Sequence, residues 1–190
     1  MNHLMIDVET LGTAADAVIL SVGAVKFDLL SDQIDEEGFY GSISIESNLD
    51  AGRRINEDTL LWWLKQPAAA QAVFHENKLP LEQTLIDFSD WLGDSDWKVW
   101  SKGPSFDIAM LEHAYKQFGM APPWDFWNAR CVRTYMDLPG AKGISAPDEG
   151  VKHNALSDAY QQAKTVRAIH KKIFTDTPRS SMVKPTAKAR

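Results

Sequence analysis

His3-Leu4-Met5-Ile6-Asp7-Val8-Glu9-Thr10-Leu11-Gly12 is an apolar run that carries two acids two positions apart. Its pattern predicts a strand. Successive strand side chains point to opposite faces, so Asp7 and Glu9 share one face while Ile6 and Val8 share the other. Parallel carboxylates repel each other and lose water on partial burial, and both effects raise their pKa unless a cation sits between them. The pair is therefore a candidate metal site. Taken alone, Asp-x-Glu is equally a solvated edge strand, and residues further along the chain have to decide.

His153-Asn154-Ala155-Leu156-Ser157-Asp158 opens a helical pattern in which Leu156, Ala159, Ala163, Val166, Ile169 and Ile173 recur at steps of three and four. This places His153 at the helix entrance and Asp158 in the second turn. Ser105-Phe106-Asp107 heads another periodic stretch, through Ile108, Leu111, Ala114 and Phe118, so the third acid also stands near a helix start. In order and spacing, Asp7, Glu9, Asp107 and Asp158, with a histidine five residues before the last acid, resemble the DEDDh branch of the DnaQ-like 3′-to-5′ exonucleases. The resemblance covers most of residues 1–175. Asp7-Val8-Glu9-Thr10-Leu11-Gly12, Thr59-Leu60-Leu61-Trp62-Trp63-Leu64-Lys65-Gln66, Gly103-Pro104-Ser105-Phe106-Asp107 and Phe126-Trp127-Asn128-Ala129-Arg130, followed by Arg133 and Thr134, are similar to the small phage and prophage enzymes and the mycobacterial-type exoribonucleases of that branch. Gly103 departs from the pattern, since many members carry Asn four residues before the third acid.

The order of elements, strands first and then helices alternating with strands, indicates an α/β sheet flanked by helices. The resemblance implies the ribonuclease-H-like version of it, a mixed sheet with three antiparallel strands followed by parallel ones. It also implies hydrolysis of phosphodiester bonds from the 3′ end of single-stranded nucleic acid, with release of nucleoside 5′-monophosphates. Two Mg²⁺ or Mn²⁺ ions would serve as cofactors, and the hard oxygen donors suit them, with no soft cluster present to favour zinc. By the same resemblance Asp7 bridges both ions, Glu9 and Asp158 complete the site of the one that activates the nucleophile, and Asp107 holds the other. An isolated histidine at a helix entrance is a cap or a solvated residue; in this company His153 is the general base, a role that suits an imidazole.

Substrate contacts are expected from Thr10, Leu11 and Gly12 after the first acids, from Phe106 beside the third, and from Asn128 and Arg130, with Arg133 a further candidate. Trp62 and Trp63 are adjacent on a helix and cannot both face the core, and Trp63 is the one assigned to base stacking. DNA is favoured over RNA on the phage-like Trp-Trp and Trp-Asn-x-Arg segments. An exoribonuclease with the same site is the alternative, and a silent nucleic-acid-binding module a second one. A module without turnover would be free to lose any of the acids, and all are present.

At 190 residues the chain predicts one domain over 1–175, with a basic flexible tail at 176–190 where Pro178 and Pro185 stand among scattered Lys and Arg. A net charge of −6 argues against a protein that coats duplex DNA, but an enzyme gripping one strand end needs few phosphate contacts. Cys131 is the single cysteine, which excludes an internal disulfide and a cysteine zinc site and reads as a small buried hydrophobe. No stretch has the length of a membrane span and the N-terminus lacks a signal pattern, so a cytoplasmic location is expected. No Gly-x-Ser-x-Gly elbow or P-loop is present. A homodimer is compatible with the chain. His3, His75, His113 and His170 are expected to pack or face solvent.

Further elements follow from pattern and punctuation: strands over 17–27 and 38–45, a helix from Asn56 interrupted by Pro67, a short helix ending near His75, a helix from Pro80 to Gly93, a strand over 97–101, a strand over 127–130, a helix over 131–138 and a loop over 139–152.

Overall fold

The structure, a computed structural model, describes residues 1–147 and 149–175; Asp148 and the expected tail at 176–190 lie outside the described residues. Strands β1 (His3–Thr10), β2 (Ile19–Phe27) and β3 (Phe39–Ser42) form an antiparallel meander. On its other side β1 pairs in parallel with β4 (Lys98–Ser101), which pairs in parallel with β5 (Ala129–Cys131). The sheet is mixed, three antiparallel strands and then parallel ones, as the resemblance implied, and its order β3-β2-β1-β4-β5 puts the acid-bearing strand at the centre.

Alternation along β1 divides the core in two. Leu4, Ile6 and Val8 meet Val22, Ala24 and Val99 beneath Phe88 of α4 (Leu81–Leu92) and Leu111 and Tyr115 of α5 (Asp107–Gln117). On the opposite face Met5, Val25, Phe27 and Trp100 pack against Val132 of α6 (Val132–Met136) and Ala159, Ala163 and Val166 of α7 (Ala155–His170). Burying one such aliphatic side chain contributes about 1.5–3 kcal/mol. Slipping β1 by one residue would exchange Ile6 and Val8 with Asp7 and Glu9, so the two apolar layers fix the register. A third cluster, built on Leu11, Val18, Leu20 and Trp63, packs at the end of β1.

Several elements are shorter than the pattern indicated. The second strand begins at Ile19 because Ala17 and Val18 turn aside toward Arg54. That turn is held by Arg53, whose buried guanidinium donates to the Ala17 and Ala15 carbonyls and to Gln117 Oε1 at 2.7–2.9 Å. The third strand stops at Ser42, and Ser44 then caps α1 (Ile45–Asp50), a helix too short for a periodic signal. Its Asn48 is buried and both donates to and accepts from the Ile19 backbone. The strand expected over 127–130 is a 3₁₀ turn at Phe126–Asn128 followed by β5, and the helix after it ends at Met136. Cys131 is half-buried rather than buried. Among the described residues no helix is long and apolar enough to cross a membrane.

The start of α7 lies directly on β2. A Cβ on Gly23 would sit 2.1 Å from the Ala155 carbonyl carbon, so only glycine lets the helix backbone come this close. Gly23 pairs with Asp7 across the sheet, and the close approach therefore brings the first turn of α7 to the acid strand. Gly23→Ala should force that turn away and cost about 1–3 kcal/mol. In a thermal melt this is a fall of roughly 2–12 °C for a chain of this size; an unchanged melting temperature would mean that α7 is not held by this contact.

Candidate active site

Pairing between β1 and β4 ends at Met5↔Trp100, so the last residues of β1 border a crevice where one neighbouring strand is parallel and the other antiparallel. Crevices at the carboxyl ends of parallel strands are where α/β sheets bind ligands. Here the Val8 amide donates to Asp107 Oδ1 at 3.3 Å, which brings the first residue of α5 against the acid strand. Asp7 Oδ1 accepts from Gln162 Nε2 at 2.8 Å. Glu9, His153 and Asp158 each offer a ligand atom within 4.8 Å of the others.

Asn154 caps α7, its side chain accepting from the Ser157 amide. The helix therefore starts at Ala155 and Asp158 falls in the first turn rather than the second, where the positive end of the helix dipole favours a carboxylate. His153, just outside the cap, has φ +60°. Its amide donates to Asp158 Oδ2 at 3.2 Å, and its ring stands edge-on to Trp62 and Trp63 at centroid distances of 4.9 and 6.1 Å.

Asp7, Glu9, Asp107, Asp158 and His153 line one cavity of about 380 Å³, together with Phe106, Lys102 and Arg133. Burial, and then the charges of Asp107, Glu9 and Asp158, push the Asp7 carboxyl well above its usual range, against the Gln162 hydrogen bond. Burial and the charges of Asp158 and Asp107 push Glu9 up to about 8. Burial raises Asp107 to about 6, while hydrogen bonds from Val8 and Ser101 and the Arg133 charge hold it back. Gln162 Oε1 is buried with no hydrogen-bond partner. Carboxylates driven up by burial and, at Asp7 and Glu9, by their acidic neighbours form with the nearby imidazole a donor set that fits a hard divalent cation.

The expected substrate contacts divide. Phe106 and Arg133 line the cavity. Thr10 is buried and its hydroxyl donates to the Gly12 carbonyl at 2.7 Å. Leu11 is buried in the third cluster. Gly12 is required by its own chain, since a Cβ there would stand 2.9 Å from that of Ala17. Trp63 is 1 % exposed and donates from Nε1 to the Thr10 carbonyl, whereas Trp62 is 41 % exposed, so it is Trp62 that presents a ring surface beside His153.

Asn128 and Arg130 are not brought to the cavity. Asn128 is buried against Lys98 and Asp96 at the start of β4, whereas Asp107 follows that strand's end. Arg130 donates to the Trp127 and Ala129 carbonyls and borders a separate groove with His3, Trp100 and Tyr135. Two residues at the site went unread in the sequence: Lys102, which lines the cavity, and Gln162, which is buried behind it and donates to Asp7. Gln162 stands four residues after Asp158, on the same helix face, and that spacing was its available signal. The remaining histidines pack or face solvent: His3 accepts from Trp100 Nε1 and is lowered to about 4 by burial, His170 meets the Tyr135 hydroxyl, His113 lies beside Arg53, and His75 is exposed.

Residues 2–170 match the family described as the 3′-5′ exoribonuclease Rv2179c-like domain. The exodeoxyribonuclease of Enterobacteria phage T4 is 26 % identical, with 72 % of this chain and 71 % of the phage protein covered. Among solved structures, E. coli exonuclease I in complex with a dT13 oligonucleotide matches with a TM-score of 0.64 and 13 % identity over 90 % of this chain. This chain spans 41 % of the length of that protein. Cell-death related nuclease 4 matches with a TM-score of 0.50 and 16 % identity, covering 87 % of this chain and 62 % of its own. These structural likenesses show the fold, a ribonuclease-H-like sheet. The family match spans nearly all of the described residues, and on that ground the chain belongs to the 3′-5′ exoribonuclease Rv2179c-like domain family, exonucleases built on the ribonuclease-H-like fold.

Proposed function

We propose that this chain is a metal-dependent enzyme that removes nucleoside 5′-monophosphates from the 3′ end of single-stranded nucleic acid, with DNA the preferred polymer. The convergence of Asp7, Glu9, Asp107, Asp158 and His153 in one cavity carries this reading. The T4 relative, an exodeoxyribonuclease, supports DNA, and exonuclease I with its dT13 oligonucleotide supports a single strand. The family's description as exoribonuclease supports a second reading, RNA as the substrate at the same site.

Asp7, Glu9, Asp107 and Asp158 would hold two Mg²⁺ or Mn²⁺ ions, which when bound supply counter-charge to the phosphate and acidify a coordinated water. His153 takes the proton from the attacking water. The hydrogen bond from its backbone amide to Asp158 holds its main chain, and the two tryptophan rings flank its imidazole. The water oxygen adds to phosphorus, and the bond from phosphorus to the 3′ oxygen of the next nucleotide breaks. That oxygen leaves as a hydroxyl after taking up a proton. Gln162 orients Asp7, and Phe106 gives the terminal nucleotide an apolar wall.

Digestion of 5′-labelled single-stranded DNA and RNA oligomers with Mn²⁺ tests the reading. A ladder shortening from the 3′ end is expected, absent for Asp7→Ala and slower by roughly 10² to 10⁴ for His153→Ala. Cleavage at internal positions rules out the exonuclease, and faster loss of the RNA oligomer selects the second reading.

Stability should also depend on pH and metal. Glu9, raised to about 8 from an ordinary value of 4.5, keeps in the folded state a proton that the unfolded chain has released. The folded state thus binds more protons in that window, and the stability of the metal-free protein falls as pH rises from about 5 to about 8, by on the order of a few kcal/mol. Mn²⁺ should restore it most at the alkaline end. Melting curves in EDTA and in Mn²⁺ measure both effects; a metal-free melting temperature that climbs across the window contradicts a buried, uncompensated cluster.

A further inference from the structure

Cys131, the last residue of β5, pairs with Ser101, the last of β4, so the helix that begins at Val132 starts beside the segment leading to Asp107. One residue into that helix, Arg133 donates from Nη1 to the Lys102 carbonyl. Nη1 would stand 2.7 Å from a Cβ on Gly103. Gly103 is not among the glycines with positive φ, so its missing side chain is explained by space for the guanidinium and not by backbone conformation. Arg133 and Lys102 both line the cavity that holds the acids.

We propose that the Arg133 guanidinium, seated over Gly103 at the rim of the acid cavity, holds a non-bridging oxygen of the scissile phosphate. This rests on the exonuclease reading above. Water addition at phosphorus develops negative charge on the non-bridging oxygens, and the cavity's own residues are otherwise dominated by carboxylates. An arginine fork matches phosphate geometry and stays charged throughout. A single bond from Nη1 ties the fork to the Lys102 carbonyl, and no other hydrogen bond of its remaining donors is seen among the described residues. The charge already acts within the cavity, since it is one of the influences holding Asp107 down. As a purely structural ion pair it would contribute little, because Arg133 is exposed.

The test compares wild type, Arg133→Met, Arg133→Lys, Gly103→Ala and the Gly103→Ala/Arg133→Met double variant on 5′-labelled single-stranded oligomers with Mn²⁺. Single-turnover rates are measured at saturating enzyme, alongside thermal melts. Loss of a preorganised charge stabiliser predicts a rate about 10²-fold lower for Arg133→Met, with an unchanged melting temperature. Arg133→Lys should recover part of the rate. Gly103→Ala should give a smaller loss by displacing the guanidinium, and the double variant should be no slower than Arg133→Met alone, the non-additivity expected of two residues acting through one group. Wild-type rates in Arg133→Met, a rate loss matched by a lower melting temperature, or full additivity in the double variant would each overturn the assignment while leaving the exonuclease intact. Failure of the wild type to cut either oligomer would overturn the parent reading and this one with it.

Discussion

Asp7, Glu9, Asp107 and Asp158 come from three separate elements, and gathering their charges out of water opposes folding, so the rest of the structure has to hold them in place. Three devices hold them. The central strand carries the first pair between two apolar layers that resist any change of register. Asp107 is tied to the Val8 amide at a point where β4 no longer pairs with β1. Asp158 rides on a helix whose first residue presses on the bare backbone of Gly23. The apolar core thus supplies the free energy against which the acids repel one another, and a positive charge in the cavity would relieve it.

Much of this was legible in the sequence because it depends on periodicity. A period of two put Asp7 and Glu9 on one face, and the steps of three and four from Leu156 to Ile173 predicted the helix that carries Asp158. Position within the site was harder to read. Asn128 and Arg133 stand close together in the chain, yet one lies at the start of β4 and the other beside its end. A strand of three residues is long enough to separate them and too short to leave a pattern. The tryptophan pair shows the same limit: alternate burial of adjacent helical residues was foreseeable, but which ring turns inward depended on Thr10 offering a carbonyl to Trp63. Gly23 could not be understood before α7 was seen lying on it.

His153 occupies a backbone region that side chains rarely adopt, and its amide is committed to the carboxylate five residues ahead. Such conformations persist where the surroundings over-determine them. Here they do so from two sides, with Asp158 below and the Trp62 and Trp63 rings beside the imidazole. The candidate base is thereby coupled to one of the candidate ligands through the main chain, so the two cannot be displaced independently.

Arg53 extends that kind of coupling across the molecule. Its guanidinium joins the turn ahead of β2 to Gln117 at the far end of α5, the helix that begins with Asp107. A slide of α5 along its axis would strip hydrogen bonds from a buried cation, a costly event in a medium that cannot rehydrate it. The placement of Asp107 is consequently a property of the whole helix, anchored at both ends like a spar, and wear at a contact remote from the cavity would be felt as a change in the spacing of its charges.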